Sequence, residues 1–400
     1  MAELSEEALQ ERKIMARELL ALHRTPLDDE KYVDFDLLPP LVTPLANLAI
    51  PFPAGLAPIP KPINPKPQTD AALPKSDIVV VTWTVDENDG LADVLTPGFN
   101  RNKWYRYDRD FASKYAGQSR HASPASNSRR LGSYFPTEVN GKKVLCFKSE
   151  LHLNQDGIRN YNGTDQTSLP VRDLFKQIIK ETRCKLILTV GTCGGIQTNH
   201  DLGDVLVTRA ARFRCASEFD NAPFNHKTYT SDWKMKTNHF AAAKTLMDRY
   251  ASNLTEPDFG PPTTRQTGTV WKLPTVWNPH IIHEKGTTTR DKMPAAHPIL
   301  TTDYFEFGNS VNAADLWQEG CGVEMGDAVL GLVCTDDLST NIPKWAVVRN
   351  LSDPQINGAI TNKPSKLNMQ AHWAVWYYAT YGYWTSVMSS LTTWAIIVDN

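Results

Sequence analysis

Short, unbroken apolar runs rich in β-branched residues recur along the chain: Asp77–Thr82, Lys143–Phe147, Lys185–Val190, Asp204–Thr208 and Trp345–Arg349. Runs of this kind predict strands buried on both faces. Between some of them the apolar positions take helical spacing, predicting helices over Val171–Glu181, Phe240–Tyr250 and Met325–Asp336. Strand alternating with helix predicts an α/β fold, with a site at the carboxyl ends of the strands. The stretch from Trp373 to Val398 holds no charged residue and is long enough to cross a bilayer. It is also full of Ser, Thr and Tyr, and is therefore read as a buried C-terminal helix or a subunit interface. No internal repeat is found.

Three segments fall outside this alternation. Residues 4–22 have apolar positions at Leu4, Ala8, Ile14, Met15, Leu19 and Leu22 with charges between, an amphipathic helix within an extension over 1–38. Residues 39–74 carry eleven prolines, so 39–76 is expected to be a tether or a docked arm, the domain proper running over 77–400. Residues 251–300, rich in Pro, Thr, His and Gly, read as a surface insertion.

The balance of 42 Lys+Arg against 44 Asp+Glu argues against a protein that coats nucleic acid. The six cysteines stand singly, and the first residues lack the pattern of a signal peptide, so reduced thiols and a cytoplasmic location are expected. No histidine has a carboxylate or cysteine partner at ligand spacing, and neither metal nor cofactor is expected. A basic run from Arg101 to Arg130 (Arg101, Lys103, Arg106, Arg109, Lys114, Arg120, Arg129, Arg130) has aromatic residues interleaved. It reads as a solvated, mobile loop; the alternative is contact with a substrate's 5′-phosphate.

The most informative chemistry is in Ile187-Leu-Thr-Val-Gly191-Thr192-Cys193-Gly194-Gly195, a buried strand entering a glycine-rich turn. Glycines there allow close approach of a ligand, and the Thr192 hydroxyl can bond a phosphate, a water or a sugar. Downstream follow Gly203-Asp204-Val, Thr302-Asp303-Tyr304-Phe305, Val323-Glu324-Met325 and Val347-Val-Arg349-Asn-Leu-Ser352-Asp353. Taken as a set, these segments resemble the nucleoside phosphorylase/nucleosidase superfamily over residues 77–398. The resemblance implies a three-layer fold with a central mixed sheet flanked by helices, a small-molecule purine nucleoside or nucleotide as partner, cleavage of its N-glycosidic bond, and a homo-oligomer in which the C-terminal helix forms an interface.

Breaking a bond to a purine leaves negative charge on the base, and an acid at Asp353 suits that need. Asp353 in a turn or as a helix cap is the alternative. In hexameric phosphorylases an arginine stands where this chain has Thr189, and their glycine-aspartate-proline phosphate loop is replaced by Thr82-Trp-Thr-Val-Asp86-Glu87-Asn88. That segment is similar to the strand end of methylthioadenosine/S-adenosylhomocysteine nucleosidases. By that likeness Glu87 falls on the base that activates water, and Thr192 and Arg349 on the residues that hold it. The alternative reading makes Asp86 and Glu87 solvated loop charges.

The likeness also implies substrate-binding roles for Gly194, Phe305, Glu324, Met325, Asp327 and Ser352, with Phe305 stacking on the base. Where the family reads Glu-Met-Glu, this chain reads Glu324-Met325-Gly326-Asp327. That departure leaves Glu324 or Asp327 to grip the sugar. The expected function is hydrolysis. The alternatives are a phosphate-dependent phosphorylase and a protein that only binds a nucleotide. Similar domains also serve in bacterial anti-phage systems that destroy purine nucleotides.

Overall fold

The computed structural model describes residues 48–153, 156–197, 199–254, 278–304, 316–353 and 364–400; side chains of the last segment are described at 377, 378 and from 381 onward. The amphipathic helix expected over 4–22, the first part of the proline-rich stretch, most of the insertion and Phe305 lie outside these residues.

Among the described residues thirteen strands form one mixed sheet: β1 (Ile59–Pro60), β2 (Ile78–Thr82), β3 (Tyr105–Tyr107), β4 (Gly132–Val139), β5 (Lys142–Ser149), β6 (Leu186–Gly195), β7 (Val205–Thr208), β8 (Ala210–Phe213), β9 (Thr228–Thr230), β10 (Ile281–His283), β11 (Ile299–Thr301), β12 (Gly322–Glu324) and β13 (Lys344–Asp353). The main path runs β1-β4-β5-β2-β6-β12-β11-β8-β9, and β13 joins β6 to β7. The helices that matter for the site are α1 (Val85–Leu95), α2 (Pro170–Thr182), α3 (Phe240–Asp248), α4 (Asp327–Leu332) and α5 (Pro364–Asp399). This is the α/β architecture expected, a central mixed sheet with helices against it. The β-branched runs became the strands they predicted: β2 lies parallel between β5 and β6 with every residue buried.

Two readings change. The strand into Gly191 does not stop at a turn. It continues through Gly195, with β13 parallel to it as far as Asp353 and β12 pairing antiparallel with Gly194 and Gly195. A side chain at Gly191 would run into the Glu87 carboxylate and come within 2.5 Å of Arg349 Nη1, so the glycine is needed for close packing of a strand. The basic run is not a mobile loop either. Trp104, Tyr105, Tyr107, Phe111 and Tyr115 are buried in the core. Most of its cations have carboxylate partners: Arg101 with Asp89 (3.4 Å), Arg106 with Asp108 (3.1 Å), Arg109 with Glu181 (3.3 Å), Lys114 with Asp173 (3.5 Å) and Arg130 with Glu150 (2.6 Å).

The uncharged C-terminal stretch forms α5, and every residue from Tyr381 to Asp399 is buried within the chain itself. No helix of the described residues is long and apolar enough to cross a membrane. The helix packs against α1, α3, β6 and β13, so its aromatic residues Tyr381, Tyr383, Trp384 and Trp394 are spent inside the chain and not on its surface. Close contact with α1 depends on two glycines. A Cβ at Gly90 would lie 2.9 Å from Ser386, and one at Gly382 would lie 2.8 Å from Asp86 Oδ2.

The described part of the proline-rich stretch, residues 48–76, is laid against the domain. Its β1 pairs antiparallel with β4, the Phe52 ring packs at a tilt against Trp394 with 5.0 Å between ring centroids, and the Trp394 indole N–H donates to the Leu56 carbonyl (2.8 Å). The backbone N–H of Ile63 donates to the Tyr105 hydroxyl, and that of Leu73 to Glu181, each at 2.7 Å.

Candidate active site

The carboxyl ends of β2, β6 and β13 lie side by side, with β12 brought across the end of β6. Helix α1 starts where β2 stops. Thr84 caps it, accepting from the Glu87 N–H, while the Glu87 carboxylate accepts from the Thr84 N–H. This reciprocal pair is a capping box, and it turns Glu87 back toward the strand ends.

Glu87 Oε2 accepts from the Thr82 hydroxyl (3.0 Å) and the N–H groups of Trp83 and Thr84 (both 2.9 Å). Its Oε1 accepts from the N–H (2.8 Å) and hydroxyl (3.0 Å) of Thr192, with Arg349 Nη1 3.6 Å away. Burial works to raise the pKa of Glu87, but Arg349 and the N–H groups of Thr84, Thr192 and Trp83 outweigh it and hold the carboxyl below its ordinary value. Glu87 is an ionised, fully buried carboxylate. Asp86 is buried as well, so neither is a solvated loop charge.

Arg349 sits at the centre of the cluster. Its Nε and Nη2 donate to Asp327 Oδ2 (2.8 Å) and Oδ1 (2.6 Å), a bidentate pair, and Nη2 also reaches Glu324 Oε2 (3.3 Å). The Trp83 ring covers the guanidinium at 4.9 Å. Burial alone would lower the pKa of Arg349, but Asp327, Glu324 and Glu87 reverse that and raise it. Glu324 also accepts from the Asp327 N–H and the Thr301 hydroxyl. Burial, with the like charge of Asp327 next, pushes Glu324 up to about 8 in spite of Arg349.

Asp353 closes β13, opposite Gly194 of β6, after a bulge between Leu351 and Asp353. It accepts from the Ser352 hydroxyl at 2.8 Å through Oδ1, and Oδ2 is buried without a partner among the described residues. Burial pushes its pKa up to about 8, with Ser352 opposing, so Asp353 carries its proton at neutral pH.

Of the residues singled out by sequence, the structure brings together Glu87, Thr192, Glu324, Asp327 and Arg349. It places Gly194, Ser352 and Asp353 at the adjoining strand ends and leaves Met325 half-buried after β12. Gly326 has room above it: a Cβ there would meet nothing closer than Trp83 at 3.5 Å and Glu324 at 3.8 Å. Sequence reasoning missed Thr82, Trp83 and Thr301. The Thr84-x-x-Glu87 spacing was the available signal that Glu87 turns back onto the backbone.

The Gly203-Asp204-Val segment serves elsewhere. Asp204 accepts from the N–H groups of Asp201 (2.6 Å) and His280 (2.8 Å) and pairs with Arg290, tying β7 to its neighbours.

No family model matches the chain, and no curated protein does. Among solved structures it is similar to futalosine hydrolase of Helicobacter pylori strain 26695 (12% identity, 81% of this chain and 97% of that chain, TM-score 0.41). It is also similar to 5′-methylthioadenosine/S-adenosylhomocysteine nucleosidase from Neisseria meningitidis (12%, 81% and 100%, TM-score 0.39) and to S-adenosylhomocysteine nucleosidase from Streptococcus pyogenes (11%, 82% and 99%, TM-score 0.42).

Proposed function

We propose that the chain hydrolyses the N-glycosidic bond of a purine nucleoside or nucleotide. The observation that carries this reading is a pair of buried carboxyl groups driven in opposite directions, Asp353 at the end of β13 and Glu87 in the first turn of α1. Asp353 is neutral at pH 7 with one oxygen unpartnered, and Glu87 is ionised. Such a pair supplies an acid and a base in one site.

In the reaction the C–N bond breaks with its electron pair going to the base. Asp353 donates its proton to N7 of that base, and the sugar becomes oxocarbenium-like. Water adds to the sugar carbon, and its proton goes to Glu87 Oε1, the oxygen that faces Thr192 and Arg349. Passing a proton back to Asp353 through solvent restores the start. Arg349 is committed to three carboxyl groups, those of Glu87, Glu324 and Asp327, which supports water over inorganic phosphate as the acceptor. Gly194, Phe305, Glu324, Met325, Asp327 and Ser352 are the residues expected to line the substrate's place.

The test is a mass-spectrometric screen of purine nucleosides and nucleotides in ¹⁸O-labelled water, with and without phosphate. Free base and a labelled free sugar or sugar phosphate, independent of added phosphate, are expected. A sugar 1-phosphate formed only with phosphate, or no release from any substrate, would refute the assignment. Cleavage of nucleotides would suit an anti-phage effector. Nucleotide levels in phage-challenged bacteria expressing the chain or its Asp353→Asn variant test that role, with depletion expected for the former alone.

A further inference from the structure

Arg120 and His121, from the segment between β3 and β4, meet the loops after β5 and β8 to form an open groove of about 510 Å³ that is also lined by Ile158, Arg159 and Glu218. The two arginines share one acid. Arg120 Nη2 lies 2.5 Å and Arg159 Nε 3.3 Å from the same oxygen, Glu218 Oε1. The Glu218 side chain is 6% exposed, and its Oε2 is buried with no partner among the described residues.

Arg120 is fixed further by Nε and Nη2 donating to the Gly157 carbonyl (3.1 and 2.9 Å), while Arg159 is 67% exposed. Two guanidiniums side by side repel each other, and a carboxylate buried between them offsets that repulsion while leaving an excess of positive charge. Their remaining N–H groups suit the oxygens of a phosphate ester.

The groove is tied to the candidate active site through few bonds. Phe219, next to Glu218, donates its N–H to Asp303 Oδ2 (2.7 Å), and the Ala216 N–H donates to Asp303 Oδ1 (2.8 Å). Asp303 stands two residues after Thr301, whose hydroxyl bonds Glu324. Within the basic run Arg120 is set apart: its carboxylate is shared with a second arginine and it lines this groove, whereas Arg101, Arg106, Arg109, Lys114 and Arg130 are each held by a carboxylate elsewhere.

We infer that this groove takes the phosphate of the substrate, which makes that substrate a nucleotide and not a bare nucleoside. The inference rests on the N-glycosidase reading and narrows its substrate class. Glu218 is a positioning residue that holds Arg120 and Arg159 in place for the ester.

The experiment measures kcat/KM for AMP and for adenosine, with and without inorganic phosphate, in the full chain and in Arg159→Glu and Arg120→Lys. The first variant changes an exposed side chain, and the second keeps the charge while removing the planar fork, so folding is retained in at least one. Preference for AMP, and a fall of at least about tenfold in the AMP-to-adenosine ratio in Arg159→Glu, are expected. Equal use of AMP and adenosine, with the ratio unchanged in both variants, would overturn the inference and leave the hydrolase standing. Turnover of adenosine that needs inorganic phosphate and disappears in Arg159→Glu would also overturn it, because the bound phosphate would be the acceptor.

If neither compound is cleaved, the reaction assignment fails, and calorimetric titration decides the groove separately. AMP binding that is weakened in Arg159→Glu and absent for adenosine would sustain the groove, and no AMP binding would end the proposal.

Discussion

Asp353 and Glu87 are both carboxylic acids, yet one is short of hydrogen bonds and the other has five. Replacing Asp353 with Asn is expected to lower kcat by about 10²–10⁴. The wild-type rate should also fall as pH rises through about 8, where Asp353 loses its proton; steady-state kinetics between pH 5 and 10 check both. The same shift has a sign for stability. The folded pKa lies above the ordinary 3.8, so the stabilising contribution is fully present below that value and is lost as pH rises through about 8. Asp353→Asn removes this dependence, and its melting temperature should gain on the wild type between about pH 4 and 8. Gly191→Ala tests the packing of the cluster. Its methyl group meets Arg349 and Glu87, so a loss of about 1–3 kcal/mol in urea unfolding is expected.

Helix α1 shows how far an element can be read from its own residues. Ala for Gly normally favours a helix by about 1 kcal/mol. Gly90→Ala should instead destabilise by about 1–3 kcal/mol, because its Cβ falls 2.9 Å from Ser386 on α5; chemical denaturation gives the sign directly. Val85-Asp-Glu-Asn-Asp-Gly-Leu-Ala-Asp-Val-Leu95 looks like a polar loop followed by a short apolar stretch, and the whole helix is buried. Its polar groups find partners far along the chain, as when Tyr383 donates to Asp93 at 2.7 Å, and no local pattern announces them. The buried strands were legible because their apolar runs need no partner to be recognised. Arg349, Glu87 and Asp353 were legible as candidates through the family resemblance of the segments that carry them. The pairing of Asp327 with Arg349, 22 residues apart, was not, and neither was the neutralisation of the basic run by Asp89, Glu150, Asp173 and Glu181.

At the scale of the molecule, α5 and the proline-rich arm hold each other. Trp394 is the joint, and Trp394→Ala is expected to cost about 3–5 kcal/mol and to speed proteolytic cutting within residues 48–58, followed by limited proteolysis. The arm covers more than a patch of core. One side of β4 is taken by β5, and on the other β3 pairs with Gly132–Tyr134 while β1 pairs with Thr137 and Glu138. Residues 59–61 thus close what would be an open row of backbone donors and acceptors, and the prolines at 60 and 62 offer no N–H for a further strand to join. A chain lacking residues 1–63 should associate in a concentration-dependent way, visible by light scattering. The arm therefore works as a guard on the sheet margin, keeping neighbouring copies from stitching themselves on.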